Sequence, residues 1–289
     1  MKKSDDEQIE ASIEKIVKET EDFLVFTGCS KNKKIFVKRQ KTEKGKVMND
    51  RELVNQKFLH KITQGKNTGF KFIVPVLVGN DLVYPDLNNH VDWLALSHET
   101  DIAPLASYEK QMFYFFDFCL EIDYMWLPKE IKEDAKERMS HVMTNFNNDI
   151  KFIVERGVIN MLEGYKFRSL IEKGMHNRAF QHHDVVPWHM AKEKVSGEHI
   201  LIDSGFSGWS LKYYDLSYYV LQMTGYAQRK KEALEFLNMA INHFRDDKEF
   251  FQTLATAMSY RGIRLIAELL RKGKDVNAQE VLGVVRDTI

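Results

Sequence analysis

Residues able to run a reaction crowd into one stretch late in the chain. Gln181-His182-His183-Asp184-Val185-Val186-Pro187-Trp188-His189 is followed by Leu201-Ile202-Asp203-Ser204-Gly205, with nineteen residues from one Asp to the other. Tyr213-Tyr214-Asp215-Leu216-Ser217 comes next, its Asp twelve residues after Asp203. Asp184 reads as a loop residue and Asp203 as the end of an apolar strand, with imidazoles close by in sequence. Phosphoryl transfer uses such a set. One carboxylate orients the attacking hydroxyl and accepts its proton, and another holds the metal that neutralises the phosphate oxygens. The same residues also allow a zinc site, because His182, His183, His189 and Asp184 are all metal-ligand types. Loop spacing alone does not separate the two chemistries.

The elements that must position these groups can be read from periodicity. Ile9, Ile13, Ile16 and Val17 share one face of an expected helix over 8–18. Asp22–Thr27 and Lys34–Arg39 read as strands joined by the polar, Gly-containing stretch 28–33. Residues 40–49 read as a charged loop, and Asp50 as the cap of a helix from Arg51 to about Ile62. Strands are expected at Phe72–Val78 and Asp81–Tyr84, around a Gly79-Asn80 turn. The remainder is mostly helical: Leu105–Trp126, a helix opening at Pro128 and running to about Arg156, Asn160–Lys173, and four or five helices from Tyr214 onward. Irregular sequence with one strand, Glu198–Ile202, is expected in 176–212. These elements predict an α+β, two-lobed chain: a small β-rich N-lobe over 1–87 and a larger helical C-lobe over 88–289.

Composition narrows the function classes. The 289 residues are 44% hydrophobic, 12% aromatic and 29% charged, with 15 Gly and 5 Pro, which excludes disordered and low-complexity chains. Forty-two basic residues balance forty-two acidic ones, which argues against nucleic acid as the main partner. Cys29 and Cys119 cannot form a disulfide scaffold, so a reducing compartment is expected. No apolar run follows the charged N-terminus, and Phe72–Val78 is interrupted by Pro75 and too short to span a bilayer. A cytoplasmic protein with no membrane partner is the expectation.

The motifs together resemble the aminoglycoside phosphotransferase and choline-kinase-like branch of the protein-kinase fold. That family's loop is His-Gly-Asp with a metal-binding Asn five residues on, followed by an apolar-Asp strand end and a Tyr/Pro-x-Asp-Leu/Ile-Ala segment. The matching residues here are His182 and Asp184, Ile202-Asp203, and Tyr214-Asp215-Leu216-Ser217. Ile35-Phe36-Val37-Lys38 resembles the strand bearing a phosphate-contacting lysine, and Arg51-Glu52 with Phe58-Leu59 the helix whose Glu pairs with it. The resemblance spans about residues 22–225.

It implies ATP- or GTP-dependent transfer to a hydroxyl of a small, aminoglycoside- or choline-like molecule, supported by Mg²⁺ or Mn²⁺. Lys38 would hold the α/β-phosphates, Glu52 would orient it, and Pro85-Asp86-Leu87 would form the hinge, with Asp86 and Leu87 against the nucleotide. Asp184 would be the base, and Asp203 with His189 the metal ligands. His182 and Asp215 would fix the loop, and His183, at the family's Gly position, would face solvent. Glu163, Asp246, Asp247 and Glu249 could meet a cationic substrate. The sequence departs from the family twice. His189 stands where the Asn is expected, and only Glu19–Glu21 remain for a first strand and Gly-rich turn. A catalytically weak, kinase-like binding or regulatory protein is the competing reading.

Overall fold

The computed structural model describes residues 11–31, 33–85, 91–94 and 103–289. The expected hinge residues Asp86 and Leu87 lie outside them, as does Ile9. The chain opens with β1 (Ser12–Glu19), β2 (Phe23–Ser30) and β3 (Lys33–Gln40), each pairing antiparallel with the next. α1 (Glu43–Thr63) leads to β4 (Val76–Val78) and β5 (Asp81–Pro85). These five strands form one sheet in the order β1-β2-β3-β5-β4. Then come β6 (Val91–Trp93), α2 (Ala103–Glu121), α3 (Lys129–Glu155), α4 (Met161–Gly174) and β7 (Arg178–Gln181). β8 (Met190–Glu193), β9 (His199–Leu201) and β10 (Gly208–Leu211) follow, and α5 (Tyr214–Gly225), α6 (Lys230–His243), α7 (Phe250–Arg271) and α8 (Asp275–Thr288) close the chain. The fold class is α+β, as its sequence predicts.

Two compact units divide the chain, and neither is contiguous. Residues 1–94 join His189–Phe206, while Ala95–Trp188 joins Ser207–Ile289. In the first unit, Phe26, Ile35, Val37 and Val83 make the core of the five-stranded sheet. β6, β8 and β9 form a second antiparallel sheet whose core is Val91, Ala191 and Ile200, with Ile73 and Ile202 packed on it.

In the second unit β7 pairs with β10, and α7 is buried along most of its length against α3, α4, α5 and α8. Glycine makes two of these approaches possible. A Cβ at Gly174 would come within 2.1 Å of Thr256 Oγ1, and one at Gly262 within 2.3 Å of Val285 Cγ2. No described helix is long and apolar enough to cross a membrane.

Four local expectations are corrected. The described part of the expected 8–18 helix is the strand β1, all eight of whose residues are exposed. A helix there would have no surface on which to bury its apolar face, whereas the free edge of β2 offers backbone partners, and tertiary context overrides spacing. The first strand that seemed to lack room is therefore present. Secondly, α1 starts eight residues early. Thr42, not Asp50, is its cap, its hydroxyl accepting from Gly45 N at 3.1 Å while donating to Asp22 at 2.7 Å. Thirdly, only Val76–Val78 of the expected 72–78 strand pairs in the sheet, beyond Pro75, which has no N–H to donate. Finally, 176–212 holds four short strands rather than one.

Candidate active site

The alternation of β3 decides where Lys38 points. Val37 is fully buried in the sheet core, so Lys38 projects from the opposite face, over the ring of Phe23 at 4.8 Å. α1 lies against β3 and β5 and presents an unusual inward face of Asn49, Glu52, Asn55 and Gln56, all buried. Glu52 meets the lysine: Nζ to Oε2 is 2.5 Å, and the hydroxyl of Tyr84 on β5 donates to the other carboxylate oxygen. Asp203 follows β9, with its Oδ1 3.7 Å from Lys38 Nζ. Its φ of 61° turns the chain sharply after the strand, and Asn55 Nδ2 fixes that turn by donating to Ser204 O at 2.7 Å. His189 Nε2 stands 3.8 Å from the second oxygen of Asp203.

Electrostatics follow from this geometry. Burial opposes the charge of Lys38, but the Glu52 and Asp203 carboxylates outweigh it and hold its pKa above the ordinary lysine value. Burial likewise pushes Glu52 up, against the pull of Lys38. The ion cluster of Lys38, Glu52 and Asp203 carries one more negative charge than positive. A divalent cation beside Asp203 would reverse that balance. The 3.8 Å between His189 Nε2 and Asp203 Oδ2 is within the span of two ligands on one ion at about 2.1 Å each. The donor set of carboxylate and imidazole fits a divalent metal, with a leaning toward Mn²⁺ that an amide oxygen would not give.

The β1–β2 connection is Thr20-Glu21-Asp22, without glycine. Phe23 N donates to Thr20 Oγ1 at 3.0 Å, closing the turn. Asp22 accepts from Lys44 Nζ at 2.8 Å as well as from Thr42. This turn is glycine-free, and its Asp22 carboxylate is held by Lys44 and Thr42.

In the second unit the loop bearing Asp184 leaves β7 and is held from below. Asp215, at the start of α5, accepts from the backbone N–H groups of His182 and His183, each at 2.6 Å. Its own N–H donates to Gln181 Oε1 at 2.9 Å, and Ser207 Oγ donates to His182 O at 3.2 Å. Burial pushes Asp215 up to about 7, the two N–H groups pulling the other way. The loop-fixing expected of His182 and Asp215 is what their hydrogen bonds do. His183 differs from expectation. Its φ of 70° explains why glycine suits this position, but the ring is half-buried against Tyr214 at 4.4 Å, not turned to solvent. Burial, followed by nearby Arg138, His182 and two further arginines, drives its pKa well down.

The structure brings Lys38, Glu52, Asp203 and His189 together in the first unit and places Asp184 in the second. The four acids proposed for a cationic substrate are not available as a set. Glu163 is clamped by Arg286 at 2.6 and 2.8 Å, and Asp247 by Lys212 at 2.6 Å and Tyr213 at 2.5 Å. Three residues went unnoticed in the sequence. Asn55 lies three residues beyond Glu52 on the same helical face, a legible signal. Tyr218, whose hydroxyl pKa is raised by burial and then by nearby Asp184, lies one turn after Tyr214. Tyr84 carried no signal, being an aromatic in a strand.

Neither a protein-family match nor a curated relative is found for the sequence. Solved structures do match. A Plasmodium vivax ethanolamine kinase is similar with a TM-score of 0.60 at 15% identity, over 98% of this chain and 85% of that one. The streptomycin–ATP–APH(2")-IIa ternary complex gives 0.58 at 14%, over 94% and 93%. The GDP complex of aminoglycoside 2'-phosphotransferase-IIIa gives 0.56 at 14%, over 96% and 93%. At these identities the likeness establishes the fold: this chain is built as those kinases and phosphotransferases are.

Proposed function

We propose that this chain is a nucleotide-dependent phosphotransferase that acts on a hydroxyl of a small molecule. The observation that carries the reading is the buried Lys38–Glu52 pair with Asp203 at 3.7 Å, an arrangement costly to keep for stability alone. In this reading Lys38 holds the α/β-phosphates of ATP or GTP, and Glu52, braced by Tyr84, keeps the ammonium in place. Asp203 and His189 hold Mg²⁺ or Mn²⁺, which when bound neutralises charge on the phosphate oxygens. Asp86 and Leu87, which lie outside the described residues, would meet the nucleotide in this reading. Asp184 orients the acceptor hydroxyl and takes its proton as the oxygen attacks phosphorus. The unpaired Cys29 and Cys119 suit a cytoplasmic setting. An aminoglycoside- or choline-like acceptor is what the resemblance implies.

The competing reading, a kinase-like binding protein with little catalysis, draws on His189 in place of the family's Asn and on the short, glycine-free Thr20-Glu21-Asp22 turn. Thermal-shift titration with ATP and GTP, with and without Mg²⁺ or Mn²⁺, separates them. A ligand at 100 times its Kd stabilises the folded chain by about 2.7 kcal/mol. Under the proposal a metal-dependent shift is seen in the parent and in Asp184→Ala but not in Asp203→Ala, and only the parent transfers phosphate. A parent that shifts with nucleotide yet labels no acceptor supports the competing reading. No shift with either nucleotide and either metal overturns the proposal.

A further inference from the structure

The surroundings of Asp184 inside the second unit speak to the acceptor, given the phosphotransferase reading above. Tyr218, partly exposed, lies near Asp184, whose charge joins burial in raising its hydroxyl pKa. Its ring face is already taken by the guanidinium of Arg261, whose Cζ lies 4.6 Å from the ring centroid. Arg261 is 8% exposed and its Nε, shielded from water, has no hydrogen-bond partner among the described residues. One turn along α7, Arg264 covers Tyr260 at 5.7 Å and bonds that hydroxyl at 3.0 Å, with its side chain 40% exposed. Tyr260 in turn neighbours Tyr214, which packs on both His183 and Tyr218. The cluster is one continuous aromatic and guanidinium layer reaching toward Asp184, with Tyr214, Tyr260 and Arg261 buried and Tyr218 and Arg264 partly exposed.

Its charge is positive. Arg261 and Lys272 share Glu268, at 4.0 and 2.8 Å, and Arg264 and Arg271 share Asp149, at 3.8 and 2.7 Å. Four cations thus stand against three carboxylates, Glu268, Asp149 and Asp184. A quaternary ammonium or an aminoglycoside ammonium recognises aromatic faces and acids. Here the faces of Tyr218 and Tyr260 carry resident guanidinium groups, and Glu268 and Asp149 are paired with cations, which leaves Asp184 for the acceptor hydroxyl. The same arrangement that repels a cation receives an anion, and Arg is the side chain best shaped for carboxylate or phosphate.

We propose that the acceptor is an anionic hydroxyl compound, a hydroxy acid or a phosphate ester bearing a free hydroxyl, recognised by Arg264 and Arg261 as its hydroxyl meets Asp184. This departs from the cationic acceptor that the resemblance implies.

The test measures transfer from labelled ATP with Mg²⁺ or Mn²⁺ to glycerate, glycerol 3-phosphate, glycerol and choline. Binding of the same four compounds to the nucleotide-loaded protein is followed by calorimetry. The expected result is a kcat/KM for the two anions about tenfold or more above glycerol, with choline lowest, and the same order in binding. Arg261→Gln and Arg264→Gln should each raise KM for the anions about tenfold and collapse the anion-to-glycerol ratio, and Arg261→Lys should restore part of it. The parent panel decides the matter even if Arg261→Gln fails to fold. Choline phosphorylated or bound in preference to the anions overturns the proposal, as does an absence of anion binding at millimolar concentration. A variant that lowers kcat equally for every acceptor assigns the arginines to the transferring phosphoryl group and also overturns it. These failures leave nucleotide-induced stabilisation intact, whereas failure of the phosphotransferase reading removes it.

Discussion

Replacing Asp215 with asparagine separates the cost of a buried charge from the worth of its hydrogen bonds. The carboxyl is 1% exposed and accepts two backbone N–H groups at 2.6 Å. Burial lifts it from an ordinary 3.8 to about 7. Between about pH 4 and pH 7 the folded chain therefore keeps a proton that the unfolded chain has released. Stability falls with pH wherever the unfolded state binds fewer protons, by about 1.4 kcal/mol per unit. Over roughly three units Asp215 withdraws about 4 kcal/mol. Asparagine resembles the protonated carboxyl, with one good acceptor oxygen and no charge. Near pH 4.5 Asp215→Asn should thus cost only about 1–2 kcal/mol, for the N–H left less well matched. That deficit should close as pH rises and reverse by pH 8. Urea unfolding of parent and variant, at fixed ionic strength from pH 4.5 to 8, gives the difference directly. A deficit that stays constant or widens with pH would mean an ionised carboxylate whose two N–H bonds outweigh its burial, and the argument would be refuted.

Glu52→Gln removes one partner of a buried pair and should destabilise the chain by about 3–5 kcal/mol in chemical unfolding, while abolishing the nucleotide-dependent thermal shift. Gly174→Ala forces a methyl against Thr256 where α4 meets α7 and should cost about 1–3 kcal/mol, read as a lower Tm with unchanged far-UV circular dichroism. His189→Asn replaces an imidazole by an amide oxygen and should raise Mg²⁺-supported turnover relative to Mn²⁺. An unchanged metal preference would remove His189 from the metal site.

Much of this was legible because chemistry and fold share the same residues. The β2–β3 hairpin, the long helices and Lys38 on its strand all follow from apolar alternation, Gly-containing turns and helical spacing. The ordered His182, Asp184, Asp203 and Asp215 motifs were equally visible. What stayed hidden has a common physical cause. α1 buries Asn49, Glu52, Asn55 and Gln56, so the polarity that marks a solvent-facing stretch here marks an inward one. Its first two turns accordingly read as loop. β1 buries nothing, so no alternation betrays it, and Glu14, Lys15, Lys18 and Glu19 give it a helix-former's composition. Arg261 and Arg264 could not be linked to Asp184 at all, since their meeting depends on how α5 and α7 pack rather than on any local pattern.

The interrupted path of the chain also matters while it is being made. β6 ends at Trp93, yet its partner β8 begins only at Met190 and β9 ends at Leu201. On a ribosome adding about 5–20 residues per second, β6 waits roughly 5–20 s for the strands that complete its sheet. Throughout that interval Val91 and Ile73 have no Ala191 or Ile200 to cover them, and Asp203 has not yet been synthesised to reach Lys38. A nascent chain halted near residue 94 should therefore hold its five-stranded sheet without its second one, which gives chaperones a defined window of exposed apolar surface. A fragment expressed to that point would meet the same gap permanently, so separating the two units by simple truncation must leave both unfinished.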